Sequence, residues 1–348
     1  MTVNLDSIYS KSLSQLKELL SKEGLRESAA VNIYEILYKK RDGLFSRERG
    51  ISKDLQSYLE RTFDFTLPTI VTIQNADDQT TKFLMEMSDG KRVETVLIPF
   101  NKKFTVCLSS QVGCAMKCSF CFTGTQGLSR NLETKEIIGQ YIQAWNWLKE
   151  NHPNKAVSPN IVFMGQGEPL HNFDEVKKTV EILLEPNGAH LGPRQITLSS
   201  AGYLPGLERF HEFPRINLAL SLHSPFDKIR NELIPLNKAY NLEKLFEALD
   251  KIPLLKRQFI NFEYLLIDQL NDDEKSIEEL GKLLSNRRAI VNIIPFNEFP
   301  GSIYKRPSLK KVDLFKEKLS EFGIHTMVRT TKGDDILAAC GQLKVEHD

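Results

Sequence analysis

Apolar residues recur at helical spacing in the first part of the chain. Residues 13–20 and 31–37 each carry apolar side chains three and four positions apart, which predicts two amphipathic helices. A third, shorter helix is predicted over residues 55–59. The pattern therefore predicts an N-terminal helical domain over residues 1–65.

The spacing of apolar residues changes to a strand-like pattern between residues 66 and 102. Asp89-Gly90, a dipeptide typical of tight hairpin turns, separates two such runs at 83–87 and 92–98. We interpret residues 66–102 as a β-hairpin that links the helical domain to the rest of the chain.

Strand-like and helix-like runs alternate over residues 103–348, which is typical of βα units and a parallel sheet. Candidate polar residues follow successive strands, so a partial (β/α) barrel is favoured over a doubly wound sheet, and the fold class is α/β. The predicted strands are 104–109, 160–163, 195–199, 215–222, 259–266, 289–294 and 323–328. The predicted helices are 134–148, 174–184, 242–251, 272–284 and 309–322.

Composition narrows the class of protein. The 348 residues include 46 Lys+Arg and 45 Asp+Glu, so the formal net charge of 46 − 45 = +1 excludes a strongly basic nucleic-acid-binding chain. No run approaches the ~18 apolar residues of a membrane span, and residues 1–11 do not resemble a signal peptide. We expect a soluble, cytoplasmic monomer with no membrane partner.

Five cysteines are present, an odd number that argues against a framework of structural disulfides. Three of them form Cys114-x3-Cys118-x2-Cys121, directly after the first strand of the alternating region. Thiolates at this spacing suit three irons of a [4Fe–4S] cluster, leaving one iron open. The alternative is a structural zinc site, for which Cys107 or Cys340 would supply the fourth ligand.

The cysteine loop, with Phe120 before its last cysteine, resembles the signature of the radical S-adenosylmethionine (SAM) superfamily. In that superfamily the open iron binds the amino and carboxylate groups of SAM, and an electron from the cluster cleaves SAM to a 5′-deoxyadenosyl radical. The resemblance implies that residues 103–348 form a partial radical SAM barrel. It implies SAM contacts from Gly167 and Glu168 and, farther along the chain, from Ser199, Ser221, Leu222, His223 and Asn297.

Strings along nearly the whole chain resemble the RlmN/Cfr group of radical SAM RNA adenine methyltransferases. They include Arg92-Val-Glu94, Cys107-Leu-Ser-Ser-Gln-Val-Gly and a C-terminal Ala-Ala-Cys340-Gly-Gln-Leu. The resemblance implies that Cys340 accepts a methyl group from one SAM, and that a second SAM supplies the radical that activates this S-methyl group. It further implies that Glu94 accepts the proton of the adenine ring, and that Cys107 releases the product through a transient disulfide with Cys340.

Two subgroups methylate different ring carbons of adenine. Pro169 and Asp334 resemble the C2 subgroup, whereas the Cfr-type C8 subgroup tends to lack both. The chain departs from the common pattern at Gln166 and Leu337, where the group often has Met and Asp. We therefore expect adenine-C2 methylation, with C8 methylation as the alternative.

The resemblance implies 23S rRNA and tRNA as substrates and an electron donor such as flavodoxin. A near-neutral chain must bind RNA through local basic patches, for which there are three candidate groups. For the helical domain, the alternative is that its basic residues form a solvated charged face that binds no RNA. For the whole chain, the alternative is a non-catalytic, zinc-stabilised RNA-binding protein. The candidate groups are Lys102 and Lys103; Arg329 and Lys332; and Lys39, Lys40, Arg41, Arg47 and Arg49 with Tyr38 and Phe45.

Overall fold

A ten-stranded sheet is the centre of the computed structural model, which describes residues 5–41, 43, 45–100, 103–155 and 158–345. The strands are β1 Asp6–Ser7, β2 Phe63–Asp64, β3 Thr69–Asn75, β4 Thr81–Glu86, β5 Arg92–Phe100, β6 Lys103–Cys107, β7 Gln111–Gly113, β8 Leu128–Asn131, β9 Asn160–Phe163, β10 Ile196–Ser200, β11 Asn217–Ser221, β12 Ile260–Leu266, β13 Ala289–Pro295 and β14 His325–Val328. The helices are α1 Leu13–Lys22, α2 Ala29–Tyr34, α3 Lys53–Thr62, α4 Thr134–Asn151, α5 Phe173–Leu184, α6 Leu204–Glu208, α7 Asp227–Leu233, α8 Leu242–Asp250, α9 Glu274–Leu284 and α10 Leu309–Ser320.

The parallel part of the sheet has the topology of a partial barrel. Its order is β14-β13-β12-β11-β10-β9-β6, and every adjacent pair is parallel. Successive strands are therefore always added on the same side, without the reversal of a doubly wound sheet. Each of the seven predicted strands is present with its ends shifted by at most two residues, so the predicted α/β partial barrel is confirmed.

Helices cover the barrel strands. Apolar residues recur at helical spacing in each of them, so each helix has one apolar face that packs on the sheet. Polar side chains accept hydrogen bonds from the first free backbone N–H groups at several helix starts, as Asn241 does before α8, Asp273 before α9 and Ser308 before α10. The five predicted helices of this region are all present. In the described ranges, no helix is long and apolar enough to cross a membrane.

Residues 69–100 extend the sheet instead of forming a separate hairpin. β4 and β5 are the predicted hairpin strands, and β5 also pairs with β6, where Val96 lies opposite Cys107. β3 adds a third antiparallel strand at the sheet edge. Most of its residues are exposed, so it lacks the alternation of buried and exposed positions that identifies a half-buried strand.

The N-terminal helices pack on the barrel through α4. The core around α1 and α3 is continuous with that of the barrel. Arg41 is central to this contact: its guanidinium lies 4.2 Å from the Trp145 ring centroid and donates a 2.6 Å hydrogen bond to the Tyr141 hydroxyl. The boundaries of the three predicted units remain predictions.

The predicted basic face of the helical domain is wrong in two of its members. Tyr38 is fully buried, and Arg41 faces α4 instead of solvent. Tyr38 lies in the π-helical turn Glu35–Lys40 that follows α2, next to the buried Ile36 and Leu37. Its hydroxyl donates to the carbonyl oxygen of Tyr9 at 3.3 Å. Lys39 is paired with Glu35 at 2.9 Å. This surface is therefore less basic than the sequence alone indicates.

Candidate active site

A cavity lies at the carboxyl ends of the parallel strands, where side chains from successive βα units converge. Its walls are the cysteine loop after β7, the glycine-rich turn after β9, the ends of β10 to β12 and a C-terminal segment. The predicted site residues that line this cavity are Cys114, Cys118, Cys121, Gly167, Glu168, Ser199, Ser221, His223 and Cys340.

The three loop cysteines lie on one wall of the cavity. The loop is tightened by hydrogen bonds from Cys114 N to Gly127 O (2.8 Å) and from Cys121 N to Cys118 O (3.2 Å). Burial raises the pKa of all three thiols, that of Cys114 to about 12. A cationic metal centre would offset this effect and favour the thiolates, so three buried thiols facing one cavity fit a cluster with one open iron.

The turn after β9 brings a buried carboxylate to the same cavity. Gly167 has a φ of +104°, and a Cβ there would lie 2.6 Å from the Cβ of Gln111, so only glycine fits. The Glu168 carboxylate accepts hydrogen bonds from Leu170 N (3.1 Å) and Ala201 N (2.8 Å). Burial raises its pKa to about 7. An ammonium beside this group would favour its ionised form, which fits the expected contact with SAM.

His223 lies at the end of β11 with a φ of +59°. Its Nδ1 accepts a 3.0 Å hydrogen bond from Leu265 N, so the proton of the neutral ring is on Nε2. Burial and, to a lesser extent, the Arg230 guanidinium lower its pKa to about 3. His223 is therefore a neutral hydrogen-bond donor at the cavity wall.

Two residues expected to contact SAM, Leu222 and Asn297, do not line this cavity. The Leu222 side chain is fully buried and is not among the residues that line the cavity. Asn297 lines a second, adjacent cavity, where its Nδ2 donates a 3.3 Å hydrogen bond to the Cys340 carbonyl oxygen. Its Oδ1 accepts from Thr331 Oγ1 at 3.0 Å. Asn297 thus holds the Cys340 backbone in this structure.

The second cavity brings the two remaining cysteines together. Cys107 and Cys340 both line it, and Cys340 alone of the two also lines the first cavity. Both are free thiols, so the expected disulfide is absent from this state. Burial and, to a lesser extent, the nearby Cys340 raise the pKa of Cys107 to about 12. Cys340 therefore lies between the cavity of the loop cysteines and a site shared with Cys107.

Glu94 is buried on β5 and is not among the residues that line either cavity. Val96, two residues further along the strand, packs with Cys107 and Leu343 in a small apolar cluster. The backbone N–H of Glu94 donates to Gln166 Oε1 at 3.1 Å. Gln166, one of the two departures from the common pattern, thus supports the strand that carries Glu94.

A short turn after Cys121 holds the C-terminal segment. Phe122 N donates to Gly341 O, Thr123 Oγ1 to Leu343 O and Gln126 Nε2 to Val345 O, each at 2.6 Å. The segment that contains Cys340 is therefore tied to the cysteine loop by three hydrogen bonds.

Sequence reasoning missed two buried charged residues near the cavities. Glu263, in the middle of the apolar strand β12, lines the first cavity. Lys82, inside β4, is paired with Glu94. The available signal was a charged residue within an otherwise apolar strand, since such residues are rarely buried without a partner.

The basic residues predicted to contact RNA lie in different parts of the structure, and only some of them line a cavity. Arg329 and Lys332 line the second cavity, and Arg329 also lines the first. Lys103 begins β6, at the opposite end of the strand from Cys107, so it lies away from both cavities. Lys102 lies outside the described residues.

Comparison with known proteins agrees with this geometry. The profile of the Radical SAM superfamily matches residues 108–281. "Dual-specificity RNA methyltransferase RlmN" of Syntrophobacter fumaroxidans (strain DSM 10017 / MPOB) is 40% identical over 335 residues, 96% of this chain and 97% of that protein. The protein of the same name from Campylobacter jejuni subsp. jejuni serotype O:23/36 is 41% identical over 90% of this chain and 91% of its own.

A solved structure matches nearly the whole fold. The crystal structure of a radical SAM methyltransferase from Sphaerobacter thermophilus has a TM-score of 0.89 and 36% identity, covering 98% of this chain and 100% of that chain. Its match spans the N-terminal helices as well as the barrel. The chain therefore belongs to the RlmN family of radical SAM RNA methyltransferases, whose cofactors are a [4Fe–4S] cluster and SAM.

Proposed function

We propose that this enzyme methylates C2 of adenine in 23S rRNA and in tRNA through an S-methyl group on Cys340. The observation that carries the proposal is the position of Cys340, which lines both the cavity with the three loop cysteines and the cavity with Cys107. A methyl carrier must reach both the methyl donor and the substrate. Two SAM molecules are consumed in each turnover.

The residues of the first cavity would hold the cofactors. Cys114, Cys118 and Cys121 would ligate the cluster, and Glu168 would contact the SAM ammonium, with Ser199, Ser221 and His223 along the rest of the molecule. When bound, these groups supply the methyl group and a carbon-centred radical. The residues that line this cavity are buried or half-buried, which limits the access of water to the site.

The thiols and Glu94 have separate roles. Cys340 accepts the methyl group as a nucleophile. Glu94 accepts the proton that leaves the adenine ring. Cys107 attacks the Cys340 sulfur: an S–S bond forms while the bond from that sulfur to the transferred carbon breaks, and the carbon takes up the thiol proton, which frees the methylated RNA. Burial raises the pKa of Cys107 to about 12, so the thiol carries this proton before the step.

Methylation of adenine C2 is favoured over C8 because Pro169 and Asp334 resemble the C2 subgroup. Pro169 begins the helical turn after Glu168, and Asp334 accepts a 2.7 Å hydrogen bond from Gln342 Nε2, two residues after Cys340. Both support the walls of the site. Mass spectrometry of adenosines from treated RNA separates the two products: 2-methyladenosine is expected, and 8-methyladenosine would assign the enzyme to the Cfr type.

The partners follow from the same chemistry. RNA would bind over Arg329 and Lys332, because both line the second cavity. An electron donor such as flavodoxin would reduce the cluster. The free thiols suit the reducing cytoplasm, where the enzyme would act as a monomer.

Replacing Cys340 tests the methyl carrier. Cys340→Ala should abolish methyl transfer to RNA while the cluster still assembles, because Cys340 is separate from the three loop cysteines. Product analysis, iron content and visible absorption are measured on anaerobically purified protein. Methylated RNA from this variant would refute the proposal. Colourless protein with one zinc, instead of brown protein with about four irons, would support the zinc alternative.

Replacing Cys107 tests the release step. Cys107→Ala should retain methyl transfer to Cys340 and accumulate protein covalently linked to RNA, because the resolving thiol is missing. Denaturing gels with labelled RNA detect this species. Normal turnover without a linked band would remove Cys107 from the mechanism.

A further inference from the structure

A buried ion pair joins two neighbouring strands of the sheet extension. Lys82 Nζ on β4 lies 3.0 Å from Glu94 Oε1 on β5, and the side chains are 10% and 6% exposed. Leu84 is opposite Glu94 and Val96 is opposite Lys82, so the pair is a diagonal one across the two strands. Lysine is seldom buried, and burial of its charge needs such a partner.

The two oxygens of the Glu94 carboxylate differ in their hydrogen-bond partners. Oε1 is held by Lys82, whereas Oε2 is buried and has no hydrogen-bond partner among the described residues. A buried acceptor without a partner is costly unless a ligand or substrate satisfies it. Oε2 is therefore the atom left free to receive a proton.

Lys82 also reaches the segment that carries the methyl acceptor. Its Nζ donates a 3.4 Å hydrogen bond to the carbonyl oxygen of Leu337, three residues before Cys340. One ammonium thus contacts both the Glu94 carboxylate and the Cys340 segment.

Other charged groups on the elements packed around Glu94 are engaged elsewhere. The Glu86 and Arg92 side chains pair with each other at 2.8 Å, as do Glu136 of α4 and Arg130. The Lys344 ammonium lies 4.3 Å from the Phe122 ring centroid. On α4, Lys135 is paired with Glu133 (3.2 Å), Tyr141 accepts from Arg41 (2.6 Å), and Lys149 and Glu150 are near its end. The remaining titratable groups on these elements are Cys107 and Lys103 of β6, Asp78 with Lys332 (3.6 Å), Asp334 with Arg306 (4.0 Å), Asp335 with Asp77 N (3.2 Å), Arg329 and Cys340.

Opposing effects act on Glu94. Burial raises its pKa, whereas the Lys82 ammonium and, to a lesser extent, a hydrogen bond from the Lys344 backbone lower it. A carboxylate can accept a proton only when it is ionised, so without the ammonium burial would favour the protonated form that cannot act.

We propose that Lys82 is a positioning residue for methyl transfer: it keeps the Glu94 carboxylate ionised and holds Oε1, so that Oε2 takes the proton from the substrate carbon. This inference rests on the proposed role of Glu94. In the step, the proton moves from the adenine carbon to Oε2 and the electron pair of the C–H bond stays in the ring. Lys82 keeps its own proton throughout.

The main test is the pH dependence of a charge-removing variant of the holoenzyme. Lys82→Met should move the acidic limb of the rate–pH profile upward by about 1–3 pH units, because an adjacent opposite charge lowers a carboxyl pKa by about that amount. At neutral pH, protein–RNA adduct should accumulate. Lys82→Arg should restore most of the wild-type profile. Lys91→Met, on the exposed turn of the same hairpin, is the matched control and should change neither readout.

A second readout does not depend on catalysis. Infrared spectra of the holoenzyme should contain a protonated-carboxyl band at neutral pH in Lys82→Met that is absent from wild type and from Lys82→Met/Glu94→Gln. If Lys82→Met does not fold, Lys82→Gln, which keeps a donor without charge, should give the same band. A band with the same pH dependence in wild type and the variants would overturn the inference, whether or not the protein methylates RNA. If the band behaves as expected but wild type forms no methyladenosine, the proposed function fails and the Lys82 effect on Glu94 stands.

Discussion

At the scale of single residues, burial sets the protonation state of the groups in this site. The pKa of Glu168 is raised to about 7 and that of His223 is lowered to about 3, both chiefly by desolvation. In each case loss of water disfavours the charged form. At Glu168, a bound cofactor with an ammonium group, or a positively charged substrate, can reverse this preference and favour the ionised carboxylate.

The imidazole of His223 offers a direct pH test. Its folded pKa of about 3 is below the unfolded value of about 6.5, so its contribution to stability is present above about pH 6.5 and is lost as the pH falls toward 3. Across the neutral range the ring should be uncharged with its proton on Nε2. Nitrogen-labelled NMR spectra should therefore contain unchanged His223 signals from about pH 8 to about pH 5. Titration of these signals near pH 6.5 would contradict this assignment.

The residues of the site were predictable to different extents. The cysteine spacing and the motif strings predicted roles for Cys114, Cys118, Cys121 and Cys340, and the structure places all four on the wall of one cavity. Lys82 and Glu263 were missed because a lone charge in a strand is usually solvated, and only the packing of neighbouring strands shows that these two are buried.

At the scale of elements, the cysteine loop and the C-terminal segment form one unit. They are far apart in sequence, yet the turn after Cys121 donates three hydrogen bonds to the segment around Cys340. Placement of Cys340 therefore depends on the cysteine loop.

Removing one of these hydrogen bonds should loosen the C-terminal segment. Thr123→Val deletes the bond from Thr123 Oγ1 to Leu343 O and should lower the local opening free energy by about 1 kcal/mol. Backbone amides of residues 340–345 should then exchange about fivefold faster, and methylation of Cys340 by SAM should slow. Hydrogen–deuterium exchange by mass spectrometry measures the first effect.

Thr125→Val is the matched control for this experiment. Thr125 belongs to the same turn, but its exposed hydroxyl donates only to Phe122 O within that turn. Its replacement should leave exchange at the C-terminal segment unchanged. Equal exchange in both variants would mean that the Thr123 bond does not hold the segment.

The sheet elements were predicted where they are half-buried or fully buried. All seven parallel strands were identified from their apolar runs, whereas β3, an exposed edge strand, was not predicted as a separate strand. The attachment of β5 to β6 was also missed, because pairing between strands depends on register and not on the composition of either strand.

At the scale of the whole molecule, the helical unit and the barrel share one core. Helices α1 and α3 contribute to the same apolar cluster as α4 and the sheet. Arg41 adds to this contact, since its guanidinium packs against the Trp145 ring. Continuous packing of this kind favours a single cooperative unfolding transition.

The two tryptophans allow that expectation to be tested. Trp145 faces Arg41 of the helical unit, and Trp147 packs edge-on against Phe83 of β4 at 5.5 Å between ring centroids. Single-tryptophan variants, Trp147→Phe and Trp145→Phe, should each unfold in one transition that coincides with loss of far-ultraviolet circular dichroism. Separate midpoints for the two fluorescence signals would mean that the helical unit unfolds independently.

The sequence by itself determined the local features of this protein: the helices, the parallel strands, the cysteine loop and the family. These depend on spacing along the chain, which periodicity and motifs record directly. Only the tertiary structure decided which side chains are buried together, so that Tyr38 and Arg41 left the expected RNA-binding face and Lys82 joined Glu94. Burial and pairing arise from contacts between distant segments, and their energies depend on the solvent each group loses.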